Sequence, residues 1–316
     1  MTASDRQPYG PLDLLRAYLE LVRAPNLFTS MADVVMGFLF AHPFLTSDQG
    51  LVLAVLAGAS SCFYAGGVAL NDVFDAEIDA RERPERPIPS GRVPLDAARR
   101  LGRALLAAGV ILAGAAAGLA SSPWTAAVGL LLATCIVLYD RFLKSTPLGP
   151  VAMGACRMLN VLLGMSAGLS PWGAGHWLAA GAIGVYVAGV TWLARGETGT
   201  ASRLPLTLAT LVILAGVGML FALPRWTENR VALLDLEPHR WYLLIGILGA
   251  YTGLRCFQTV AEPEADVIQS AVKHCILSLV ILDAAICYVV WDLPGAVAVL
   301  TLLVPAIALG RWIYST

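Results

Sequence analysis

Residues 71–92 read Asn71-Asp-Val-Phe-Asp-Ala-Glu-Ile-Asp-Ala-Arg-Glu-Arg-Pro-Glu-Arg-Pro-Ile-Pro-Ser-Gly-Arg92 and form the most polar segment of an otherwise apolar chain. Asp72, Asp75 and Asp79 are spaced i, i+3 and i+7, so on a helix their carboxylates share one face. Three like charges on one face repel unless a cation lies between them, and a divalent metal with oxygen ligands is the usual solution. The spacing therefore predicts a site for a metal ion and phosphate.

The rest of the chain has the composition of a membrane protein. Hydrophobic residues make up 58% of it and charged residues 14%, whereas soluble domains have about 25% charged residues. A span needs roughly 20 mainly apolar residues. That length predicts helices near 14–42, 51–76, 95–121, 123–140, 149–169, 175–195, 204–223, 239–260, 266–291 and 295–313. We expect the first to be interrupted at Ala24-Pro25. The last two flank Asp292-Leu-Pro294, so the count is nine or ten.

The basic residues indicate an orientation, because positive charge concentrates in cytoplasmic loops. Lysine and arginine residues follow the second, fourth and sixth spans. Most loops on the opposite side of the membrane are short and contain no lysine or arginine. We therefore expect the N-terminus and the motif-bearing loops to be cytoplasmic, in the cell (inner) membrane. Residues 1–11 show no cleaved signal peptide. The whole chain, 1–316, is predicted to form one transmembrane domain.

Charge and cysteine content narrow the other possibilities. The formal net charge of −1 gives no indication of a nucleic-acid partner. The six cysteines form no CxxC pair and lie mostly in apolar runs, so we expect small buried hydrophobic residues rather than disulfides or a zinc site.

The polar stretch resembles the first aspartate-rich motif of the UbiA superfamily of intramembrane prenyltransferases. The likeness is carried by Asn71-Asp72-x-x-Asp75-x-x-x-Asp79 and the following Arg-Pro-x-Arg-Pro-Ile-Pro-Ser-Gly. That ending is particularly similar to branches that prenylate glycerol phosphate lipids or chlorophyllide. Two weaker elements also match, the helix entry Arg23-Ala-Pro25-Asn26 and Tyr139-x-x-x-Leu143-Lys144.

This resemblance implies an all-α integral membrane protein, with nine or ten transmembrane helices around a central apolar cavity under a cytoplasmic polar cap. It implies Mg²⁺ bound by Asp72, Asp75 and Asp79, and a polyprenyl diphosphate as substrate. We expect five residues to bind the diphosphate: Asn71, Arg86, Lys144, Arg157 and Arg195. Five more are candidates for the polar part of the cavity: Asn26, Tyr139, Asn160, Glu197 and Lys273.

Simpler interpretations remain open for several of these residues. The aspartates and nearby arginines could pair with one another at a solvated rim. Arg141 and Lys144 could be ordinary cytoplasmic anchors. Arg157 and Asn160 share a helix face as i and i+3, and an arginine inside a span needs an acidic or phosphate partner, so a helix–helix salt bridge is the alternative.

The sequence departs from the family pattern after the sixth span. The family has a second aspartate-rich motif there, of the form Asp-x-x-x-Asp, for a second metal. Residues 193–203 contain one carboxylate, Glu197, between Arg195 and Arg203. In this respect the chain resembles a divergent, EboC-like branch of the family. The difference suggests a site with one metal ion, or with Arg195 and Arg203 in place of a metal ion. It also leaves open an altered substrate or a loss of catalysis.

A last group of polar residues lies on the ninth span. Asp266 and Lys273 are seven residues apart on one face, and Asp283 follows. A buried pair between Lys273 and an aspartate is one interpretation, and contact with the acceptor is the other. We expect His274 to pack rather than act as a base.

These observations predict a Mg²⁺-dependent transferase that moves an isoprenyl group from a polyprenyl diphosphate to an unidentified lipid, aromatic or other small acceptor. The alternative is a UbiA-like protein that binds or moves an isoprenoid or lipid precursor without transfer. A secondary transporter is less consistent, because no charged residues pair across two repeat halves.

Overall fold

The computed structural model describes residues 10–314 except 47, 169–171, 199–201, 229 and 231–236. Within these residues all regular structure is helical. The helices are α1 Pro11–Leu21, α2 Leu27–Ala41, α3 Gln49–Phe74, α4 Ala76–Glu82, α5 Leu95–Leu119, α6 Pro123–Leu138, α7 Gly149–Met165, α8 Ala174–Ala194, α9 Arg203–Met219, α10 Leu223–Trp226, α11 Pro238–Ala261, α12 Ala265–Leu300 and α13 Leu303–Tyr314. The expected all-α class is confirmed.

Eight helical stretches of the described chain are long and apolar enough to cross a membrane, and the shorter apolar helix α7 adds to them. The predicted boundary near the C-terminus is visible in the backbone. The helical run Ala265–Leu300, labelled α12, consists of two helices that meet at a kink at Asp292 (φ 54°, ψ −153°), where the sequence Asp292-Leu-Pro294 predicts a break. At about 1.5 Å per residue, the part before this kink is already longer than the roughly 30 Å hydrocarbon core of a bilayer.

The expected interruption of the first predicted helix occurs at Arg23. This residue adopts the left-handed conformation, with φ 46° and ψ 53°, and a single 3-10 turn, Ala24–Asn26, follows it. Pro25 has no backbone N–H to donate, so it favours such a break. The chain therefore enters the bundle through α2, while α1 forms a separate helix that buries Ala17 and Leu21.

The bundle is built around α2, which packs against α3, α7 and α12. The crossing of α2 and α7 depends on two glycines: a Cβ at Gly37 would overlap the carbonyl oxygen of Val161, and one at Gly164 would overlap that of Val34. Close backbone approach through small residues is typical of helix packing in membranes. These contacts fix the depth of α7 relative to α2.

Polar connections collect at one end of the bundle. Between α4 and α5 lies an irregular segment, residues 83–94, which we call the motif loop. Between α6 and α7 lies a π-helical turn, Tyr139–Leu143, and after α8 a 3-10 turn, Arg195–Thr198. A small second core of Ala17, Leu21, Ala69, Val73, Val93 and Ala98 packs α1 and the motif loop against α3 and α5. This packing holds the polar end in place.

Two open clefts lie elsewhere in the described chain. One, of about 430 Å³, is lined by residues of α11 and α12 that include Arg255, Glu262 and Asp266. The other, of about 370 Å³, lies between α5 and α6. Neither is lined by any of the three motif aspartates. All six cysteines are free thiols, and four of them are buried.

Candidate active site

The three motif aspartates each contact a cation. Arg86 Nη1 lies 3.4 Å from Asp72 Oδ1 and 2.7 Å from Asp79 Oδ2. Lys144 Nζ lies 2.5 Å from Asp75 Oδ1. The carboxylates of Asp72 and Asp79 therefore converge on one nitrogen atom, while Asp75 points toward the turn that carries Lys144. The expected common face holds for the outer two aspartates, and the middle one is turned toward a neighbouring element.

Local helix geometry explains this arrangement. The first helix of the motif, α3, ends at Phe74, and Asp75 stands between α3 and α4 with φ −90° and ψ 0°. The backbone N–H of Asp75 still bonds to the carbonyl of Asn71, and that of Asp79 to the carbonyl of Asp75. Helical hydrogen bonding thus continues through the break, so Asp72 and Asp79 remain about two turns apart on one side.

The motif loop positions Arg86. Backbone hydrogen bonds run from Ser90 N to Arg86 O and from Val93 N to Pro87 O, and Gly91 takes φ 77°, a conformation that glycine adopts without strain. The buried side chain of Val93 anchors the end of the loop. The Pro-Ile-Pro-Ser-Gly sequence thus folds into a compact turn that presents the guanidinium to the aspartates.

Arg23 is a third cation at this site, and we did not assign it a role from the sequence. Its Nη2 lies 3.3 Å from Asp72 Oδ1. The left-handed conformation at the break before α2 places it beside the end of α3. The only signal in the sequence was its position next to Ala24-Pro25, which predicts a chain break but not the direction of the side chain.

A second group of contacts surrounds Lys144. Lys144 Nζ lies 3.5 Å from Asn71 Oδ1, and Asn71 Nδ2 donates to Asp140 Oδ1 at 3.2 Å. Asp140 is buried, and its other carboxylate oxygen has no hydrogen-bond partner. Asp140 follows Tyr139 in the matching sequence element, where the sequence alone assigns it no role. Here it orients Asn71, which in turn contacts Lys144.

The side chain of Arg195 holds the backbone of the turn that carries Lys144. Its Nη2 donates to the backbone carbonyls of Lys144 (2.7 Å) and Thr146 (2.6 Å). These contacts hold the backbone of the Lys144 turn. The predicted contact of Arg195 with the diphosphate stays a prediction.

The degenerate second motif also lies at this end. Glu197 is half-buried. Residues 199–201 lie outside the described part, and Arg203 begins α9. Lys273 is exposed and contacts Gln269 on its own helix at 3.5 Å, so the considered pair with Asp283 does not form. His274 bonds to the carbonyl of Ser270.

Arg157 and Asn160 lie away from the three motif aspartates. Arg157 Nη1 lies 2.8 Å from Asp33 Oδ2, and Asn160 Nδ2 lies 2.9 Å from the same oxygen. The structure thus shows the helix–helix salt bridge that the sequence left as the alternative, in which Arg157 contacts a buried carboxylate. Its assignment to the diphosphate stays a prediction.

The two remaining candidates lie beside the site. Asn26 ends the turn after Arg23, and its backbone carbonyl accepts a hydrogen bond from Thr29 Oγ1. Tyr139 begins the π-helical turn, where its carbonyl accepts the backbone N–H of Lys144 at 2.9 Å. Both shape the segments that carry charged residues of the site.

The donor set fits Mg²⁺ only when a substrate contributes ligands. Carboxylate oxygens are the ligands this ion prefers, and those of Asp72 and Asp79 already converge on a positive charge. In the described ranges, however, no three acidic, histidine or cysteine side chains gather closely enough to hold a metal by themselves. Mg²⁺ commonly binds one or two carboxylates together with substrate phosphates.

The sequence and the fold both match known proteins. The profile of the UbiA prenyltransferase family matches residues 30–223, more than half of the chain. A digeranylgeranylglyceryl phosphate synthase of Ignicoccus hospitalis is 42% identical over 151 residues, which cover 48% of this chain and 46% of the relative. Another, from Methanopyrus kandleri, is 39% identical over 165 residues, covering 50% and 57%. The chain thus spans about half the length of these curated relatives.

Solved structures share the fold. A UbiA homologue from Archaeoglobus fulgidus, bound to GPP and Mg²⁺, superimposes with a TM-score of 0.65 at 14% identity, covering 90% of this chain and 99% of the homologue. A digeranylgeranylglyceryl phosphate synthase structure gives 0.61 at 21% identity, covering 89% and 99%. The expected family is confirmed, while the finer EboC-like branch stays a prediction. The chain is a multi-pass membrane protein that belongs to the UbiA prenyltransferase family.

Proposed function

We propose that this protein is an intramembrane prenyltransferase, which moves an isoprenyl group from a polyprenyl diphosphate to an acceptor with Mg²⁺ as cofactor. The observation that supports this most directly is the convergence of Asp72 and Asp79 on Arg86 beside the Asp75–Lys144 pair. Carboxylates for a metal and cations for phosphate lie at one end of an apolar bundle.

In this proposal the aspartates exchange their partners when substrate binds. Asp72, Asp75 and Asp79 would hold Mg²⁺, and Arg23, Arg86 and Lys144, released from these carboxylates, would bind diphosphate oxygens. When bound, Mg²⁺ supplies Lewis-acid neutralisation of the leaving diphosphate. Arg195 and Asn71 keep Lys144 in place during this exchange.

Bond breaking then leaves an allylic cation next to the apolar helices. The carbon–oxygen bond to the diphosphate breaks, and both electrons leave with the diphosphate. An acceptor oxygen or carbon forms the new bond and loses a proton. The apolar interior of the bundle serves to hold the isoprenoid and to keep water away from the cation.

We infer that the acceptor is a glycerol phosphate lipid with a free hydroxyl. Support comes from the names of the relatives, digeranylgeranylglyceryl phosphate synthases, over about half of this chain. The Pro87-Ile-Pro-Ser-Gly91 ending of the motif loop agrees with that class. We also propose that the polar end faces the cytoplasm and the membrane is the cell membrane, because the basic loops lie at that end.

The second candidate is binding or movement of an isoprenoid without transfer. It is favoured by the second motif, where Glu197 is the one carboxylate between Arg195 and Arg203. Two metals held by two acidic motifs cannot be assembled from that loop in the usual way.

One experiment separates the two functions. The purified full-length chain is incubated in lipid nanodiscs with geranylgeranyl diphosphate and geranylgeranylglyceryl phosphate, and pyrophosphate and lipid products are measured with and without Mg²⁺. Transferase activity predicts Mg²⁺-dependent pyrophosphate release and an equal amount of prenylated lipid. Tight binding of the diphosphate with no pyrophosphate released would establish the binding function instead. Pyrophosphate release with other acceptors only would reject the lipid acceptor but keep the transferase.

A further inference from the structure

A second set of polar side chains lies about halfway along the helices, apart from the motif aspartates. It joins four helices and is buried throughout. Its members are Thr29, Ser30 and Asp33 on α2, Ser60 on α3, Arg157 and Asn160 on α7, and Asp283 on α12. Ionisable residues at this depth of a membrane protein are costly unless they are paired.

One carboxylate oxygen of Asp33 accepts hydrogen bonds from two side chains of α7. Its Oδ2 receives Arg157 Nη1 at 2.8 Å and Asn160 Nδ2 at 2.9 Å. Arg157 also donates to Thr29 Oγ1 at 2.8 Å. The other oxygen, Asp33 Oδ1, has no hydrogen-bond donor.

The remaining donors of the set bond to other groups. Asn160 Nδ2 also contacts the carbonyl of Ser30 at 2.8 Å, and Ser60 Oγ donates to Asn160 Oδ1 at 2.9 Å. The Ser30 and Ser60 hydroxyls lie 2.8 Å apart. These hydroxyl and amide groups therefore bond among themselves and to Asp33.

Asp283 completes the set from α12. It is fully buried, and neither of its carboxylate oxygens receives a hydrogen bond. Cys287 Sγ, one turn further along α12, lies 3.9 Å from the carbonyl oxygen of Met36, so Asp283 lies at the level of Asp33 on the neighbouring helix α2. Within the described residues, Arg157 is the only cation in contact with the pair. It supplies one positive charge for two carboxyl groups. If both were ionised, one negative charge would remain uncompensated in the core, which is strongly unfavourable.

One additional positive charge compensates the second carboxylate and can supply the hydrogen bond that Asp33 Oδ1 lacks. A hard metal ion needs several oxygen ligands, and the described chain offers no group of three acidic, histidine or cysteine side chains that could hold one. A proton needs only two facing oxygens. An O–H on Asp283 would donate to Asp33 Oδ1 and leave Asp33 ionised for Arg157.

We propose that Asp33 and Asp283 hold one proton between them, with Asp283 as the donor, and that this proton fastens α12 to α2 and α7 at mid-depth. A second attachment lies further along α12, where Trp291 Nε1 contacts the carbonyls of Leu39 and His42, each at 2.9 Å. The two attachments fix the register of α12 on α2. This assignment is independent of prenyl transfer.

The test uses the full-length protein with Asp283→Asn, Asp283→Leu and, as a matched control, Asp266→Asn at an exposed position of the same helix. Infrared spectra report the carbonyl stretch of a protonated carboxylic acid, and thermal unfolding reports stability. The wild type should show a protonated-acid band that shifts in D₂O and that Asp283→Asn removes, while Asp266→Asn keeps it. An asparagine amide can donate to Asp33 Oδ1, so Asp283→Asn should keep its unfolding midpoint. Leucine cannot donate, and Asp283→Leu should unfold several degrees lower.

Three outcomes would overturn the proposal. The first is identical wild-type and Asp283→Asn spectra in the protonated-acid region. The second is an Asp283→Asn midpoint lowered as much as that of Asp283→Leu. The third is a wild-type midpoint that rises with Na⁺ but not with choline, which would assign the charge to a bound cation. If Asp283→Leu does not fold, the infrared comparison still decides.

Discussion

The ammonium group of Lys144 lies 2.5 Å from Oδ1 of Asp75, across the gap between the end of α3 and the turn that follows α6. Both side chains are mostly shielded from water, with 20% and 23% of their surfaces exposed. This pair connects the aspartate motif with the third matching element of the sequence. It also means that Asp75 exchanges its partner before it can bind a metal.

Asp75→Ala should reduce Mg²⁺-dependent pyrophosphate release at least about 100-fold, the usual loss when one transition-state electrostatic contact is removed. Asp75 lies at a helix break and is partly exposed, so the protein should still fold. Activity and the thermal midpoint are measured together. Asp96 is an exposed aspartate at the start of α5, so the variant Asp96→Asn serves as the control and should keep full activity. Retained activity in Asp75→Ala would reject the metal assignment.

Arg86→Lys should raise KM for the diphosphate about tenfold and change kcat less. Lysine keeps the charge but lacks the planar fork that lets one side chain contact two acceptors. Arg86→Ala should affect both constants. Steady-state kinetics measure the split, with Arg99→Ala, on the exposed partner of Asp96, as a control. Equal kinetics for Arg86→Lys and wild type would show that the bridging geometry is unimportant.

Arg195→Ala should weaken diphosphate binding less than Lys144→Ala does. Arg195 contacts two backbone carbonyls of the Lys144 turn rather than a substrate site, so its loss loosens the turn without removing the cation. Isothermal titration with inorganic pyrophosphate and Mg²⁺ compares the two variants. The double variant should bind no more weakly than Lys144→Ala, because Arg195 acts through Lys144. Additive losses would instead indicate direct contact of Arg195 with phosphate.

We expect one tightly bound divalent ion per chain. Mn²⁺ prefers the same carboxylate ligands as Mg²⁺, and its electron paramagnetic resonance signal reports free ion. In the presence of pyrophosphate, titration should give one site, which Asp72→Asn weakens and Glu197→Gln leaves in place. Two equivalent sites, one lost in Glu197→Gln, would show that the second motif still binds metal.

Gly164→Ala should lower the thermal midpoint by several degrees, because the new Cβ overlaps the carbonyl oxygen of Val34 and separates α2 from α7. Gly114→Ala, on α5, is the matched control, since nothing lies within 4 Å of the new atom there. Alanine is the better helix former, so this control should be neutral or slightly stabilising. Equal midpoints for the two variants would show that the crossing tolerates separation.

The sequence predicts the centre of the site better than its surroundings. Asp72, Asp75 and Asp79 were recognisable because period-based spacing places them on one side of a helix, and Arg86 and Lys144 because they lie in matching elements. The role of Arg23 could not be predicted, because its left-handed backbone conformation, and not its residue type, directs the side chain toward Asp72. The partner of Arg157 could not be identified either, because the sequence shows a cation inside a span but not the carboxylate on α2 that it contacts.

Helix boundaries were also predictable from the sequence, whereas contacts between helices far apart in the chain were not. Hydrophobic length predicted most spans closely, since the membrane thickness imposes it. Asp292-Leu-Pro294 predicts a break, and the non-helical φ of 54° at Asp292 divides α12 into two helices there. The proximity of Asp33 and Asp283 depends on tertiary packing of helices far apart in the chain, which no local pattern encodes.

The motif loop also has a mechanical consequence for α1. Arg92 Nη1 lies 2.6 Å from Glu20 Oε2, and Val93 packs with Leu21, so the loop that carries Arg86 is attached to the helix outside the bundle. If a ligand that draws Arg86 away from the aspartates also shifts the motif loop, it changes the free energy of this attachment. By reciprocity, displacement of α1 would then change the affinity for that ligand by the same factor. The contact of Arg92 with Glu20 is the link through which a helix that does not line the site can influence its occupancy.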